Sequence, residues 1–447
     1  MIRRAICLLL RFALRVYFRR IEVAGLEHIP LDTPLIFVLN HPNALVDPVF
    51  LLCLTPRRVS FLAKAPLFRM PVLGYLVRAL DSLPVYRSQD EGEATSRNIE
   101  TFALARNLLA RGGTLAICPE GVSHDEPRLK PLKTGAARIA LGTVSSGESL
   151  DLKIVPAGLY YTAKSTFRSS ALLYFGEPID VVPAALDGNG NPSRQATRAL
   201  SDQIEGALRN VILEAEHKEA LALIEKAEQM FFAEEPDNKD EPRLAREMKL
   251  RRQFLEGFAL HRAKAPQRLA LLEARMARFE QELEQAGLDP RSLSPPDSAL
   301  GVFAHVVTRT IGFLLLLPFA LFGIVVHFPA YTLGGYLARR FSQQGEDVIS
   351  TIKIISAMLL FPATWIVLAL VLWRFVNWQV AVAVTVLAPL CGYVAIRFFE
   401  ELDRFAGGIS AVALFVMRRR FFVRLLAERN AIRKEILELG EESALVG

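Results

Sequence analysis

The chain has 447 residues, of which 51% are apolar and 22% charged, with a net charge of +6 and a mean hydropathy of +0.27. That balance is too apolar for an ordinary soluble protein and too charged for a many-helix transporter. It also excludes collagen-like, disulfide-scaffold and wholly disordered chains. The charge is uneven: 35 Asp, Glu, Lys and Arg fall in residues 194–290 but only 8 in the equally long stretch 302–398, so a soluble part is joined to a membrane part. The basic excess sits beside apolar runs, which favours anionic lipid headgroups over nucleic acid. Cys7, Cys53, Cys118 and Cys391 form no CxxC pair and read as reduced thiols, neither a disulfide framework nor a zinc site.

Residues 1–20 (MIRRAICLLLRFALRVYFRR) begin like a secretory signal, but Arg11 and Arg15 interrupt the apolar run and no small-residue cleavage site follows. At about 100° per residue, Arg4, Arg11, Arg15 and Arg19 share one arc, while Ile6, Leu10, Ala13, Leu14 and Tyr17 lie opposite. This is the pattern of a basic helix lying in a membrane interface. Packing of the helix on its own domain is the other reading, and the two are compatible.

Short apolar runs at 35–39 (LIFVL), 59–62, 83–86, 114–118 and 154–160 read as buried strands, with helical stretches at 96–111 and 134–141 between them. Alternation of this kind predicts an α/β domain with a mixed sheet, ending at the turn-rich 187–192 (DGNGNP). Residues 194–287 read as charged helices with solvated faces, broken by an exposed loop at 234–242, and 292–298 (SLSPPDS) reads as a linker. Residues 354–373 are long enough to span a bilayer core of about 30 Å. With 380–396 they predict a hairpin over 354–396, flanked by Arg339, Arg340 and Lys353 before and by Arg397, Arg404, Arg418, Arg419 and Arg420 after. Both flanks therefore read as cytoplasmic. A third apolar run, 311–326, has Pro318 inside it and Pro329 just beyond, so a re-entrant or interfacial segment is expected there. Residues 409–426 read as a second interfacial helix.

The chemistry concentrates at strand ends. Asn40-His41-Pro42-Asn43-Ala44-Leu45-Val46-Asp47 sets a histidine after one strand with a carboxylate six positions on. Aspartate bonded to one ring nitrogen fixes the tautomer and leaves the other nitrogen to take a hydroxyl proton. Arg87 follows a second strand, where its forked donors can hold a phosphate. Pro119-Glu120-Gly121 follows a third, Lys133-Thr134-Gly135 opens a helix whose amides can bind an anion, and Val155-Pro156-Ala157-Gly158 closes the series. Neither GxGxxG after a strand nor GxxxxGK[ST] occurs, which removes the common dinucleotide and nucleotide-hydrolase readings.

Together and in this order the motifs resemble the glycerophospholipid acyltransferase family, which includes lysophosphatidate and glycerol-3-phosphate acyltransferases. The resemblance covers about residues 21–180. It implies an α/β fold: a mixed-sheet acyltransferase domain followed by a charged helical region and C-terminal membrane helices. The boundaries are 1–22 for the interfacial helix, 23–190 for the acyltransferase domain and 191–298 for the charged helices and linker. Residues 299–400 hold two to three membrane helices, and 401–447 form a C-terminal amphipathic helical region. The resemblance further implies that His41, oriented by Asp47, activates a glycerol hydroxyl that attacks the thioester of acyl-CoA or acyl-carrier protein. Asn40, Arg87, Glu120, Gly121 and Lys133 would bind the acceptor, and no metal or further cofactor is needed. The partners implied are membrane lipids, an acyl thioester and a phosphorylated glycerol or lysophospholipid, with the catalytic domain on the cytoplasmic face. The family spaces its histidine and aspartate by four residues, and here five intervene. Either the loop absorbs the extra residue, or the chain is a non-catalytic, membrane-anchored lipid-binding scaffold. Another lysolipid acceptor is a further alternative.

Overall fold

The five apolar residues Leu35–Leu39 become β2, the interior of a sheet in which none of them is exposed. A computed structural model describes residues 2–87, 95–124, 126, 128–145, 150–187, 191–214, 242–288, 299–341 and 348–444. Beside β2 stand β5 (Thr114–Ile117) and β6 (Lys153–Tyr161), both parallel to it. β3 (Val59–Lys64) and β4 (Leu83–Val85) extend the sheet beyond β5, also in parallel. On the other side β6 turns back into antiparallel β7 (Ser170–Phe175), to which β1 (Arg20–Ala24) adds in parallel, and β8 (Ile179–Asp180) pairs antiparallel with β6. The order β1-β7-β6-β2-β5-β3-β4 makes a mixed sheet, as the alternation of runs predicts. Strands β1, β7 and β8 and helix α3 (Pro71–Ala79) are additional to the sequence reading.

Because side chains alternate along a strand, β2 feeds two cores. Ile36 and Val38 pack with α4 (Asn98–Ala110), α5 (Gly135–Val144) and α6 (Arg194–Arg209). Leu35, Phe37 and Leu39 pack with α1 (Ile2–Tyr17) and α2 (Val46–Leu54). Leu14, Tyr17 and the adjoining Phe18 of the N-terminal stretch are buried in that second core, so α1 docks on its own domain. Its opposite side exposes Arg4, Arg11 and Arg15 together with Ile2, Leu8, Leu9 and Phe12. Docking also brings together two cysteines that the sequence separates: the Cys53 thiol donates to the Cys7 carbonyl, and burial pushes it up to about 12.

The rest is helical: α7 (Arg243–Lys264), α8 (Pro266–Ala286), α9 (Ala299–Phe341), α10 (Ile349–Phe375), α11 (Trp378–Met417) and α12 (Arg419–Ala444). The expected loop at 234–242 lies almost wholly outside the described residues, and the linker at 292–298 entirely so. The chain forms two compact units. One comprises Met1–Glu214, Lys239–Met248 and Ala338–Ile354, and the other Ala215–Asn238, Lys249–Leu337 and Ile355–Gly447. In the first unit, α7 starts with the Leu244 amide on Glu22 of β1 at 2.6 Å. The start of α10 is held to the 162–169 loop by Lys353 Nζ on the Ser165 carbonyl at 2.7 Å and by Ser350, which donates to the Lys164 carbonyl. In the second unit, Leu272, Met276 and Phe279 of α8 share a core with Phe422, Leu425 and Ile432 of α12, and Arg275 bridges Glu428 and Glu435.

Among the described residues three helical stretches are long and apolar enough to cross a membrane: His305–Phe341, Ile349–Phe375 and Trp378–Gly407. The break expected around 311–326 is absent; α9 is one 43-residue helix through Pro318 and Pro329. Each proline removes one donor and frees only the carbonyl four residues earlier, so the rest of the hydrogen-bond ladder keeps the surrounding turns helical. The interfacial helix expected over 409–426 is likewise corrected: α11 runs on to Met417, and the chain bends at Arg418 before α12. Along α9 the neighbours change arm. Arg309 pairs with Glu401 at 3.2 Å, the Phe313 ring meets Phe398 and Phe405, and Gly323 lies against the Cys391 carbonyl, all on α11. Trp365 of α10 then donates its indole N–H to His327 at 2.9 Å, and Gly334 lies beside Ser356 and Leu360. α9 thus climbs α11 towards the Val376–Asn377 turn and descends α10, so it crosses the hairpin instead of following either arm.

Candidate active site

Three parallel strands, β2, β4 and β5, deliver their carboxyl ends to one edge of the sheet, the place where open α/β sheets hold ligands. From β2 comes His41. Its Nδ1 lies 2.9 Å from Asp47 Oδ2, so the ring donates from Nδ1 and turns Nε2 outward as an acceptor. Asp47 sits in the first turn of α2 with its side chain fully buried, while that of His41 retains 19% exposure. A buried carboxylate is tolerable only when its oxygens are occupied. The Asn43 amide donates to Oδ2 at 2.7 Å and the Tyr161 phenol donates to Oδ1 at 2.6 Å. The loop absorbs its five intervening residues by a turn through Ala44, whose φ of 31° lies in the left-handed region. Asn40 directs both ends of its amide onto the backbone of Leu159, at 3.0 and 2.7 Å, which ties the start of the loop to β6.

β5 supplies Cys118-Pro119-Glu120-Gly121. Glu120 is buried and bonds His124 and the Lys130 amide, and the His124 amide in turn donates to the His41 carbonyl at 3.2 Å. Its other oxygen, Oε1, is enclosed without a partner among the described residues. Burial, with Asp47 and Glu120 adding, pushes the Cys118 thiol well up. Arg87, two residues beyond β4, reaches across to the Gly121 carbonyl at 2.9 Å. Lys133 comes to the same glycine: a Cβ on Gly121 would stand 2.6 Å from its Nζ. The strand-end residues Glu120, Gly121 and Arg87 and the helix-leading Lys133 thus converge, with two cations at one glycine, beside the His41–Asp47 pair. Tyr161 is the member that sequence reasoning missed. It lies 114 positions from its partner, and its one trace is a second tyrosine at the polar end of an apolar run.

Residues 20–160 match the family model Acyltransferase, and residues 234–444 match a second, the glycerol-3-phosphate acyltransferase 2 C-terminal domain. The two matches together support a glycerophospholipid acyltransferase family for this chain. This acyltransferase is 24% identical to an uncharacterized acyltransferase of Schizosaccharomyces pombe, across 93% of this chain and 76% of that protein. It is 27% identical to glycerol-3-phosphate O-acyltransferase 2 of Saccharomyces cerevisiae, across 62% of this chain but 38% of the yeast protein. A crystal structure of the 1-acyl-sn-glycerophosphate acyltransferase of Thermotoga maritima is similar at 22% identity and a TM-score of 0.34, covering 47% of this chain and 79% of that one.

Proposed function

We propose that this acyltransferase moves a fatty acyl group from acyl-CoA or acyl-carrier protein to the free hydroxyl of glycerol 3-phosphate or lysophosphatidate. The observation that carries the reading is the His41–Asp47 pair, with a fully buried carboxylate behind a partly exposed imidazole. Nε2 takes the hydroxyl proton as the oxygen attacks the thioester carbonyl. The C–S bond then breaks, and the departing sulfur receives that proton from the imidazolium. Arg87 and Lys133 neutralise the acceptor's phosphate, and Glu120 Oε1 accepts from an acceptor hydroxyl. The name of the Saccharomyces cerevisiae relative points to the first of these acceptors. The 2.9 Å contact between the pair supports the catalytic reading over a non-catalytic scaffold, whose main support is the five-residue spacing.

The enzyme is anchored in a membrane by the α10–α11 hairpin, with its catalytic domain on the cytoplasmic face. α8 and α12 pack on each other, so an even number of crossings separates them. α9 crosses the hairpin near its base and lies in the leaflet nearest that base.

The test offers the purified protein in lipid both acceptors with both donors. Wild type should form product from at least one pairing. H41A should fall by at least about 100-fold, the usual scale of a lost general base, while remaining folded and membrane-bound. Activity retained in H41A sinks the reading.

A further inference from the structure

The two ends of the catalytic loop rest on one strand. Asn40, at the start, grips the backbone of Leu159; Asp47, at the finish, accepts from Tyr161 two residues further along β6. Positions 159 and 161 of a strand share a face, so a single register of β6 sets both ends of the loop. We propose that Tyr161 is the third member of the catalytic unit, a positioning residue whose phenol fixes the Asp47 carboxylate so that His41 presents Nε2 to the acceptor hydroxyl. The assignment rests on His41 being the general base.

Three observations support it. Asp47 has three donors, and each comes from a different element: the ring of His41 after β2, the amide of Asn43 in the loop, and the phenol of Tyr161 on β6. The two oxygens divide the work. Oδ2 faces the imidazole and the Asn43 amide, and Oδ1 faces Tyr161, so the phenol fixes the rotation of the carboxylate that aims Oδ2. The phenol is itself held by aromatic contacts with Phe18 and Phe50, whose ring centroids lie 5.6 and 5.7 Å away. Burial, then the charge of Asp47 and the hydrogen bond to it, push the Tyr161 hydroxyl well above the ordinary phenol range. It therefore keeps its proton and donates at neutral pH.

The titratable groups around this centre are Asp47 on α2, His41 after β2, and Cys118, Glu120 and His124 after β5. Removing the phenol leaves more negative charge on the Asp47 oxygen that faces the imidazole, which favours the protonated ring. The inactivating proton then binds more tightly, and the acidic limb of the rate profile moves to higher pH.

The test is Y161F, which keeps the ring and its contacts with Phe18 and Phe50. Full kcat and KM profiles against pH are measured for Y161F, D47N and the double variant, beside H41A. The expected results are a kcat reduced at least 10-fold, KM for both substrates within two-fold of wild type, and an acidic limb moved upward by at least half a pH unit. In the D47N background Y161F should cost less than two-fold, because Tyr161 acts through Asp47. An unchanged acidic limb, or an equal loss in both backgrounds, overturns the proposal and leaves Tyr161 a packing residue. Activity in H41A would instead overturn the general-base reading itself. Should Y161F fold poorly, the ratio of its effects in the two backgrounds, taken per folded molecule, decides between the same outcomes.

Discussion

At the scale of single residues the site divides into groups set for chemistry and groups set for geometry. Gly121 belongs to the second kind. Its φ of 74° is left-handed, and a Cβ would stand 2.6 Å from Lys133 Nζ. In G121A the lysine end must move, and the backbone strain costs about 1–2 kcal/mol. KM for the phosphorylated acceptor should rise several-fold while KM for the acyl donor holds, as steady-state kinetics on each substrate will read. Ala44 shows the opposite sign. At φ 31° it occupies a conformation that glycine adopts without a Cβ penalty. A44G should therefore raise stability by up to about 1 kcal/mol, visible as a higher thermal midpoint. His41, Asp47, Arg87 and Glu120 were legible in the sequence because each follows an apolar run that ends at a turn. Tyr161 was not, because its role depends on which strand lies beside β2, and no local pattern encodes that order.

At the scale of elements, strands and helices were readable where burial imposes a simple period, and the pairing of charges was not. Residues 266–286 read as a charged helix with a solvated face, yet Arg275 reaches Glu428 at 2.5 Å and Glu435 at 3.0 Å on α12. The hydrogen bond from the Arg275 guanidinium holds the Glu428 carboxyl below its ordinary value. A depressed carboxylate contributes stability above its unfolded value, and that contribution is lost as pH falls through the folded one. Amide exchange along α12 should therefore be flat near neutrality and quicken below about pH 4.5, the ordinary glutamate value. R275M should abolish that acid-dependent part. The apolar seam between the two helices contributes more: L272A, at a fully buried position, should loosen α8 from α12 by about 2–5 kcal/mol in the same measurement. Strands β1 and β7 escaped the sequence reading for a related reason. Arg20-Ile21-Glu22-Val23 alternates polar and apolar residues, but over too short a run to stand out, and its pairing with β7 shows it to be a strand.

At the scale of the whole molecule, three apolar helices invite a count of three crossings, and the packing of α8 on α12 argues for two. Single cysteines in a cysteine-free background distinguish these. Val376→Cys, in the hairpin turn, should react with an impermeant reagent from the face opposite the catalytic domain. Gln285→Cys and Lys434→Cys, both at exposed positions, should both react from the catalytic side. Labelling of those two from opposite faces would mean that α9 also crosses. Hydropathy alone made the hairpin legible. The path of α9 was not, since a composition that suits a spanning helix also suits one lying in a single leaflet.

Gly158 separates what a family signature says from what it does. It ends the Val155-Pro156-Ala157-Gly158 motif, yet a Cβ there would overlap the carbonyl of Val211, the second residue beyond α6. A map of every substitution in this chain would find positions 41 and 158 equally intolerant when only growth is scored. Scored for protein abundance as well, they part: variants at 41 accumulate to normal levels as silent enzyme, and variants at 158 are degraded. The family signature is thus part chemistry and part carpentry, and abundance is the measurement that tells which part a position serves.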